Sequence, residues 1–389
     1  MATEPSGHES ISTHRVRPPW HLFPHAVRSA FDYRKLLLAA LGLIFLWAGW
    51  GLLDRSFPDS RTVTASLLET DPGETGGWLT AAGVAVWEVL RMAAWRVSEP
   101  ARVLAVPLLS LFRPGMGTVW LVHVLLALFW ALAVWGLAGG AICRLAVVDV
   151  SGKPKPGPLT ALRFAIRNGG SLLATPLWPL LVLGICTILC AGFGLLFRLP
   201  GLLGRAVGSS LFVVPLMLAF VMVLLLFCLI AGWPLMIASI ATEADDMLDA
   251  LSRSLGYLGQ RPVKSTGYAA VAWLLGIPGA IVAFLLAAGV LYLAGWGAGL
   301  LAPEGSLAGL ADGVWQPPMA RAGWSLPMFW KSVVGLLVRS WVYAYFWTAA
   351  TSIYLLLRQE VDGTSWTEVN VPSSDLPANS SPMEEKGPA

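Results

Sequence analysis

The sequence predicts an all-α protein, a polytopic bundle of about six transmembrane helices with one further amphipathic helix at the membrane interface. Of its 389 residues, 56% are hydrophobic and 13% are charged, about half the charged fraction of an ordinary soluble domain. Trp and Gly, present 19 and 40 times, are frequent in and beside bilayers. The net charge of +3, with no dense basic stripe, excludes nucleic acid as a partner and leaves membrane lipids.

Six apolar runs are long enough to cross about 30 Å of hydrocarbon, which takes roughly 20 helical residues. They cover residues 36–53, 117–142, 171–197, 210–240, 267–293 and 329–357. The first run follows a polar, basic cytoplasmic tail of residues 1–35, whereas a secretory signal would place its apolar stretch nearer the start. We therefore predict an uncleaved anchor and a single transmembrane domain, residues 36–357.

The distribution of basic residues predicts the orientation. Fifteen Lys and Arg lie in segments 1–35, 143–170, 241–266 and 358–389, whereas the short connections 198–209 and 301–328 hold three. Basic residues favour the cytoplasmic side of short loops. Both termini are therefore expected in the cytoplasm.

The long extracytoplasmic connection 54–116 carries a helical pattern. From Trp78 onward the apolar positions share one face and the charged positions the other: Val86, Val89, Leu90, Ala93 and Val97 against Glu88, Arg91, Arg96 and Glu99. A helix this amphipathic is expected to lie flat on the outer leaflet, and Pro100 ends it. Residues 103–112 are apolar but too short to span, so they are expected to be interfacial or re-entrant. A region that only caps the bundle is the alternative.

The C-terminal segment and the cysteines indicate little chemistry. Residues 358–389 lose hydrophobic side chains and gain Ser, Pro and acidic residues, a composition typical of a disordered tail. The four cysteines lie in or beside apolar segments, so a disulfide framework is not expected. Cys186 and Cys190 stand one helical turn apart without His, Asp or Glu nearby, and we interpret them as core residues rather than metal ligands.

Two segments predicted to be cytoplasmic resemble each other. Leu159-Thr-Ala-Leu-Arg163 precedes the third span, and Leu248-Asp-Ala-Leu-Ser-Arg253 precedes the fifth. Each segment predicts an amphipathic helix that leads into the next span. An ancient duplication explains the matching positions, and chance similarity in a chain rich in Leu and Ala is the alternative.

Several stretches also resemble a known family. They are GGAICRLA from Gly139, ALRFA from Ala161, PLWPL from Pro176, WPLM from Trp233, DALSRSLGY from Asp249, and Arg261-Pro. These stretches are similar to an uncharacterised multipass family of planctomycete-type bacteria and, more distantly, to the membrane domain of some glycerophosphodiester phosphodiesterases. The resemblance covers about residues 80–350 and implies a shared membrane fold, in the inner (cytoplasmic) membrane of a bacterial cell. It does not extend to the phosphodiesterase catalytic domain, so it implies no activity.

Charges within the spans are the main indication of a functional site. All 23 acidic residues lie outside the six runs, which counts against proton- or sodium-coupled transport because such carriers usually hold a buried carboxylate. Lys331 lies near an outer end, where it is expected to snorkel to headgroups. Arg339 lies deeper, where a charge costs about 2.5–3.5 kcal/mol on insertion scales. We expect Arg339 to bind a ligand, and a structural role is the alternative. His123 is expected to be a packing residue, with a proton relay as the alternative.

Prolines predict a cavity at the inner side of the membrane. Pro176 and Pro179 are expected to break the third span near its inner end, and Pro234 the fourth. Freed backbone carbonyls commonly line cavities in transporters. The sequence therefore predicts a cytoplasm-facing vestibule roofed by Trp178 and Trp233, with simple kinks between packed helices as the alternative.

Small residues predict close contacts between helices. Gly136-x-x-x-Gly140 and Gly295-x-x-x-Gly299 let helix backbones approach each other, within the chain or between the members of a homo- or hetero-oligomer.

No sequence motif of a hydrolase, a zinc peptidase or a nucleotide-binding loop is present, and no cofactor or metal is expected. The sequence therefore favours a non-enzymatic multipass protein, acting as a scaffold or handling an amphipathic, lipid-like ligand. A transporter or channel is the first alternative, and a lipid-modifying membrane enzyme is the second.

Overall fold

A computed structural model confirms the all-α prediction. It describes residues 22–57, 82–113, 115, 117–198, 208–301, 326–366 and 368–369. These residues form eleven α-helices and no strand, and six of the helices are long and apolar enough to cross a membrane. The chain is therefore a multipass membrane protein.

The helices follow one another in a simple order. They are α1 (Leu22–Ser29), α2 (Tyr33–Ser56), α3 (Ala82–Val97), α4 (Glu99–Ser110), α5 (Thr118–Val150), α6 (Pro158–Arg167), α7 (Gly169–Gly194), α8 (Val213–Glu243), α9 (Met247–Gln260), α10 (Pro262–Gly299) and α11 (Leu326–Asp362). The candidate spans are α2, α5, α7, α8, α10 and α11. We call the end of the bundle where α2 begins and α11 ends the terminal end.

Helix α11 lies at the centre of the bundle. It is the least apolar of the six spans, yet 72% of its most apolar 18-residue stretch is buried inside the protein. The corresponding share for the span that contains α8 is 6%. It packs against α1, α2, α5, α8 and α10, which shield it from lipid and let it carry polar side chains. The hydroxyls of Thr348, Thr351 and Ser352 donate to carbonyls of the preceding turn of α11, so these polar groups are satisfied within the helix.

Glycines allow α5 to approach its neighbours closely. A Cβ on Gly139 would lie 2.6 Å from the ring of Trp347 on α11, and one on Gly140 would lie 2.9 Å from Leu172 on α7. Gly136 faces the carbonyl of Leu172 at ordinary contact distance. The close approach predicted at Gly136 and Gly140 is confirmed, and it occurs inside the chain.

The prolines do not break the spans as predicted. Pro176 and Pro179 lie within the continuous helix α7, Pro234 within α8 and Pro278 within α10. A transmembrane helix tolerates an internal proline where neighbouring helices and local adjustments satisfy the freed backbone groups. Pro176 and Pro179 are buried, which places them against such neighbours.

Part of the predicted N-terminal tail belongs to the bundle. Leu22, Phe23 and Ala26 of α1 are buried, and α1 packs mainly on α10 and α11. Asp32 then caps α2 by accepting a hydrogen bond from the backbone N–H of Arg34 at 3.0 Å. The tail prediction for residues 1–21 lies outside the described residues.

The start of the predicted C-terminal tail is also packed. Arg358 Nη1 donates to the carbonyl of Glu368 at 2.9 Å, and Lys153 Nζ donates to the carbonyl of Val369 at 3.0 Å. Val369 is buried. Residues 363–366 and 368–369 therefore form a segment that joins the end of α11 to the α5–α6 connection. The remaining tail, 370–389, lies outside the described residues.

The predicted repeat is present in the element order. Each copy consists of a long helix, a short helix and a second long helix, α5–α6–α7 and α8–α9–α10. The short helices bury matching positions, Ala161 and Ala165 on α6 and Ala250 and Ser254 on α9. A duplication of the chain remains a prediction.

Candidate functional site

Helices α3 and α4 meet at Ser98 and form what we call the hairpin, whose tip lies within the bundle; α3 packs against α10, and α4 packs against α5. A Cβ on Gly276, in the middle part of α10, would lie 2.8 Å from Val97 at the hairpin tip. The hydroxyl of Tyr343, near the middle of α11, donates to Glu99 Oε1 at 3.4 Å. The amphipathic helix predicted from Trp78 is thus present from Ala82, but its end lies deeper than an interfacial helix would.

The hairpin carries charges into the protein. Arg96 is 7% exposed, although the sequence places it on a solvated face, and its Nη1 lies 3.5 Å from Glu99 Oε2. The guanidinium of Arg102 stacks 3.5 Å from the ring centre of Trp95 and donates to the Trp95 carbonyl at 2.7 Å. Buried charges require such partners because their transfer from water is costly.

Arg339, the charge predicted to bind a ligand, lies beside the hairpin. It is 5% exposed, one helical turn before Tyr343 on α11, with its guanidinium 5.2 Å from the ring centre of Trp47 on α2. A cation over an indole face is held by the ring quadrupole. We call this group the hairpin site: Trp47, Arg96, Glu99, Arg102, Arg339 and Tyr343.

Sequence reasoning missed the contribution of Glu99. Glu99 lies outside the six apolar runs of the sequence. It nevertheless lies near the middle of the bundle, because the hairpin places it there. Its position directly before Pro100, which sits in the first turn of α4, was the available signal, since such a proline follows a helix break. The absence of carboxylates from the six apolar runs therefore no longer counts against coupled transport.

The other residues predicted to form a site are placed differently. Trp233 is 2% exposed and packs edge-on against Trp347, with ring centres 5.2 Å apart. Trp178 is 47% exposed. Pro176, Pro179 and Pro234 lie within continuous helices. None of these five residues lines either of the two cavities described below.

An aromatic cluster fills the centre of the bundle near Trp233. Trp135 stacks on Tyr343 with ring centres 4.4 Å apart, and its ring centre lies 6.3 Å from that of Trp347. Trp135, Trp233 and Trp347 are each no more than 2% exposed. This cluster packs the interior level with the hairpin site and leaves both cavities at the terminal end.

Three further polar residues of the spans have defined positions. Lys331 is 6% exposed, so it lies inside the protein and does not snorkel as predicted. His123 is fully buried and edge-on to Phe57, with Nε2 3.6 Å from Asp54 Oδ1. Arg144, which the sequence analysis left outside the spans, is buried because α5 continues to Val150.

A second polar group lies at the terminal end. Arg358 Nε lies 2.9 Å from Glu243 Oε1, and Arg253 Nη1 lies 3.5 Å from Asp245 Oδ2. Burial raises the pKa of the Asp245 carboxyl above its usual value, although Arg253 opposes the shift. Sequence reasoning missed this group, because Arg358 lies 105 residues after Arg253 and approaches it only through the fold.

Two cavities open at this end. One, of about 490 Å³, is the terminal cleft, lined by Ser252, Arg253, Gly256, Tyr257, Gln260, Arg358, Asp362 and Thr364. The other, of about 420 Å³, is lined by Gly170, Ser171, Ala174, Asp246, Met247, Leu248 and Asp249. Both lie beside the short helix α9.

Comparison with protein-family models, curated proteins and solved structures finds no match to the chain. The family resemblance drawn from the sequence therefore stays a prediction. The four cysteines are free. Among the described residues, no three His, Cys, Asp or Glu side chains are grouped so that they could hold a metal ion.

Proposed function

We propose that this multipass protein resides in the inner membrane with both termini in the cytoplasm and holds an amphipathic, lipid-like ligand without transforming it. The hairpin site carries the proposal, because it brings Arg339 together with Glu99 and Tyr343 near the middle of the bundle. Charges at that depth are costly and are retained mainly where they serve a function. A guanidinium is suited to a carboxylate or phosphate headgroup.

The surroundings of the hairpin supply the apolar part of such a site. Trp87 and Leu90 on α3 and Leu109 on α4 are exposed large apolar residues. In a bilayer these side chains face acyl chains, so the tails of a ligand lie along them while its headgroup approaches the arginines. The continuous helices α7, α8 and α10 favour a binding protein over one with unwound transport segments.

Native mass spectrometry of the protein extracted in mild detergent tests the proposal. We expect a bound molecule of defined mass on the wild type, its loss in Arg339→Leu and its partial retention in Arg339→Lys. Arg198→Leu, which removes an exposed arginine, is the matched control and should keep the ligand. A wild type that carries no small molecule, or an Arg339→Leu variant that keeps it, refutes the proposal. Retention of a second protein instead supports the scaffold role.

A coupled transporter is the second candidate, and the depth of Glu99 favours it. A largely buried carboxylate beside the Tyr343 hydroxyl is the kind of group that coupled carriers hold along their path. The test is proton uptake into proteoliposomes loaded with a pH-sensitive dye under an imposed membrane potential. Uptake that disappears in Glu99→Gln supports transport, whereas equal traces for Glu99→Gln, wild type and empty vesicles contradict it.

A further inference from the structure

The terminal cleft is lined by none of the residues of the hairpin site. It lies between α9 and the end of α11, and Thr364 of the packed C-terminal segment closes one side. Three of its lining side chains carry charge: Arg253, Arg358 and Asp362. Arg358 follows directly after the last predicted apolar run, which places the cleft at the depth of lipid headgroups.

The two arginines are held close together by a shared partner. Arg358 Nε lies 2.9 Å and Arg253 Nη1 lies 4.0 Å from the same oxygen, Oε1 of Glu243. Glu243 and Asp245 contact the arginines but do not line the cleft. These carboxylates therefore orient the guanidinium groups from behind, as the partners of a binding arginine commonly do.

The remaining charge of the cleft is already engaged. The hydroxyl of Tyr257 donates to Asp362, so this carboxylate holds a hydrogen bond within the wall. The side chain of Arg253 is 42% exposed and that of Arg358 is 10% exposed. One guanidinium is thus open to an incoming group, and the other lies deeper in the wall. Ser252, Gln260 and Thr364 add neutral hydrogen-bonding groups around them.

We propose that the terminal cleft is a binding site for a phosphate group, carried by a lipid headgroup or by a soluble phosphate compound. Neighbouring guanidinium groups are the preferred protein partners of phosphate oxygens because their N–H groups match the geometry of the anion. The second cavity provides a contrast, since its only charged lining residues are Asp246 and Asp249. Of these two cavities, the terminal cleft is thus the one that offers guanidinium groups to an anion.

Isothermal titration calorimetry of the full-length protein in mild detergent tests this proposal with three probes. The probes are dihexanoyl phosphatidic acid, the uncharged dihexanoylglycerol, and inorganic phosphate. We expect phosphatidic acid to bind and dihexanoylglycerol to bind at least about tenfold more weakly, the change that loss of one charge-assisted hydrogen bond produces. Inorganic phosphate that binds as tightly as phosphatidic acid supports the site with a soluble ligand. Inorganic phosphate that binds more weakly supports it with a lipid headgroup.

An exposed arginine on the other short helix provides the control. Arg253→Gln should weaken the binding of phosphatidic acid by about tenfold or more, whereas Arg163→Gln, at an exposed position on the short helix α6, should leave it unchanged. Gln260→Glu adds a repelling charge at an exposed lining position, so it decides the question if Arg253→Gln does not fold. Equal binding of dihexanoylglycerol, no binding of any phosphate probe, or equal losses in Arg163→Gln and Arg253→Gln overturn the proposal. Wild-type affinity in Gln260→Glu together with Arg253→Gln also overturns it. These outcomes test the terminal cleft alone, since the proposal for the hairpin site is tested separately with the Arg339 variants.

Discussion

Tyr343 joins the most buried span of the protein to its helical hairpin, because its hydroxyl donates to Glu99 Oε1 at 3.4 Å. The ring of Tyr343 is fixed on its other side by stacking on Trp135, at 4.4 Å between ring centres. The tyrosine thus connects α11, α5 and the tip between α3 and α4. This position gives Tyr343 a double role, in packing the centre and in holding the hairpin.

Tyr343→Phe separates the two roles, since it keeps the stacked ring and removes the hydroxyl. We expect the hairpin to lose about 1.5 kcal/mol of local stability, at the low end for a hydrogen bond to a charged group because the bond is long. Hydrogen exchange should then increase in α3 and α4 and stay unchanged in α5. Tyr292→Phe, at a 70% exposed position, is the control. Unchanged exchange in the hairpin would show that the hydroxyl does not hold it.

The sequence predicts part of this site. Hydropathy alone located all six spans, because each needs a long apolar helix, and it selected Arg339 as the one deep charge. It could not place Glu99, since the depth of a short helix depends on the neighbours that receive it. Gly276 creates room for the hairpin tip, and no local pattern links that glycine to Val97.

The prolines do not produce the predicted helix breaks for a related physical reason. Pro176, Pro179 and Pro234 signal a lost hydrogen bond, but the sequence does not state whether packing compensates for it. Trp233, directly before Pro234, packs against Trp347, so aromatic side chains occupy the space beside this part of α8. Partners distant in sequence, such as Arg253 and Arg358, likewise become neighbours only through the fold.

Gly139 should be intolerant of any side chain. A Cβ there would lie 2.6 Å from the ring of Trp347, which is itself locked between other aromatic side chains. Gly139→Ala should therefore cost about 1–3 kcal/mol through overpacking, seen as a lower thermal unfolding midpoint in detergent. Gly184→Ala, within α7 and with nothing within 4 Å of its Cβ, should be neutral or gain up to about 1 kcal/mol from helix propensity. Equal midpoints for the two variants would contradict the packing at Gly139.

Arg144 closes the end of a neighbouring span. Its Nη1 donates to the carbonyl of Ala241 in the last turn of α8 at 3.0 Å, and its guanidinium lies 4.4 Å from the ring centre of Phe164 on α6. A positive charge at this point also interacts favourably with the negative, C-terminal end of the helix dipole of α8. Arg144→Lys keeps the charge but cannot cap and stack together, so we expect a loss of about 1–3 kcal/mol in thermal unfolding. Arg163→Lys, at an exposed position, should lose no thermal stability. An Arg144→Lys variant as stable as the wild type would show that this cap does not stabilise the protein.

Asp245 should make stability depend on pH. Its pKa is raised above the usual 3.8, first by burial and against the effect of Arg253, so the folded protein favours the protonated carboxyl. Such a group contributes stability below about pH 4, and that contribution is lost as the pH rises through the raised pKa. Asp245→Asn cannot titrate, so the thermal midpoint of the wild type should fall relative to that of Asp245→Asn between pH 4 and neutrality. Ser252→Ala, which changes an exposed and non-titrating residue of α9, should follow the wild type. A constant difference between wild type and Asp245→Asn across this range would show that burial does not raise the pKa of Asp245.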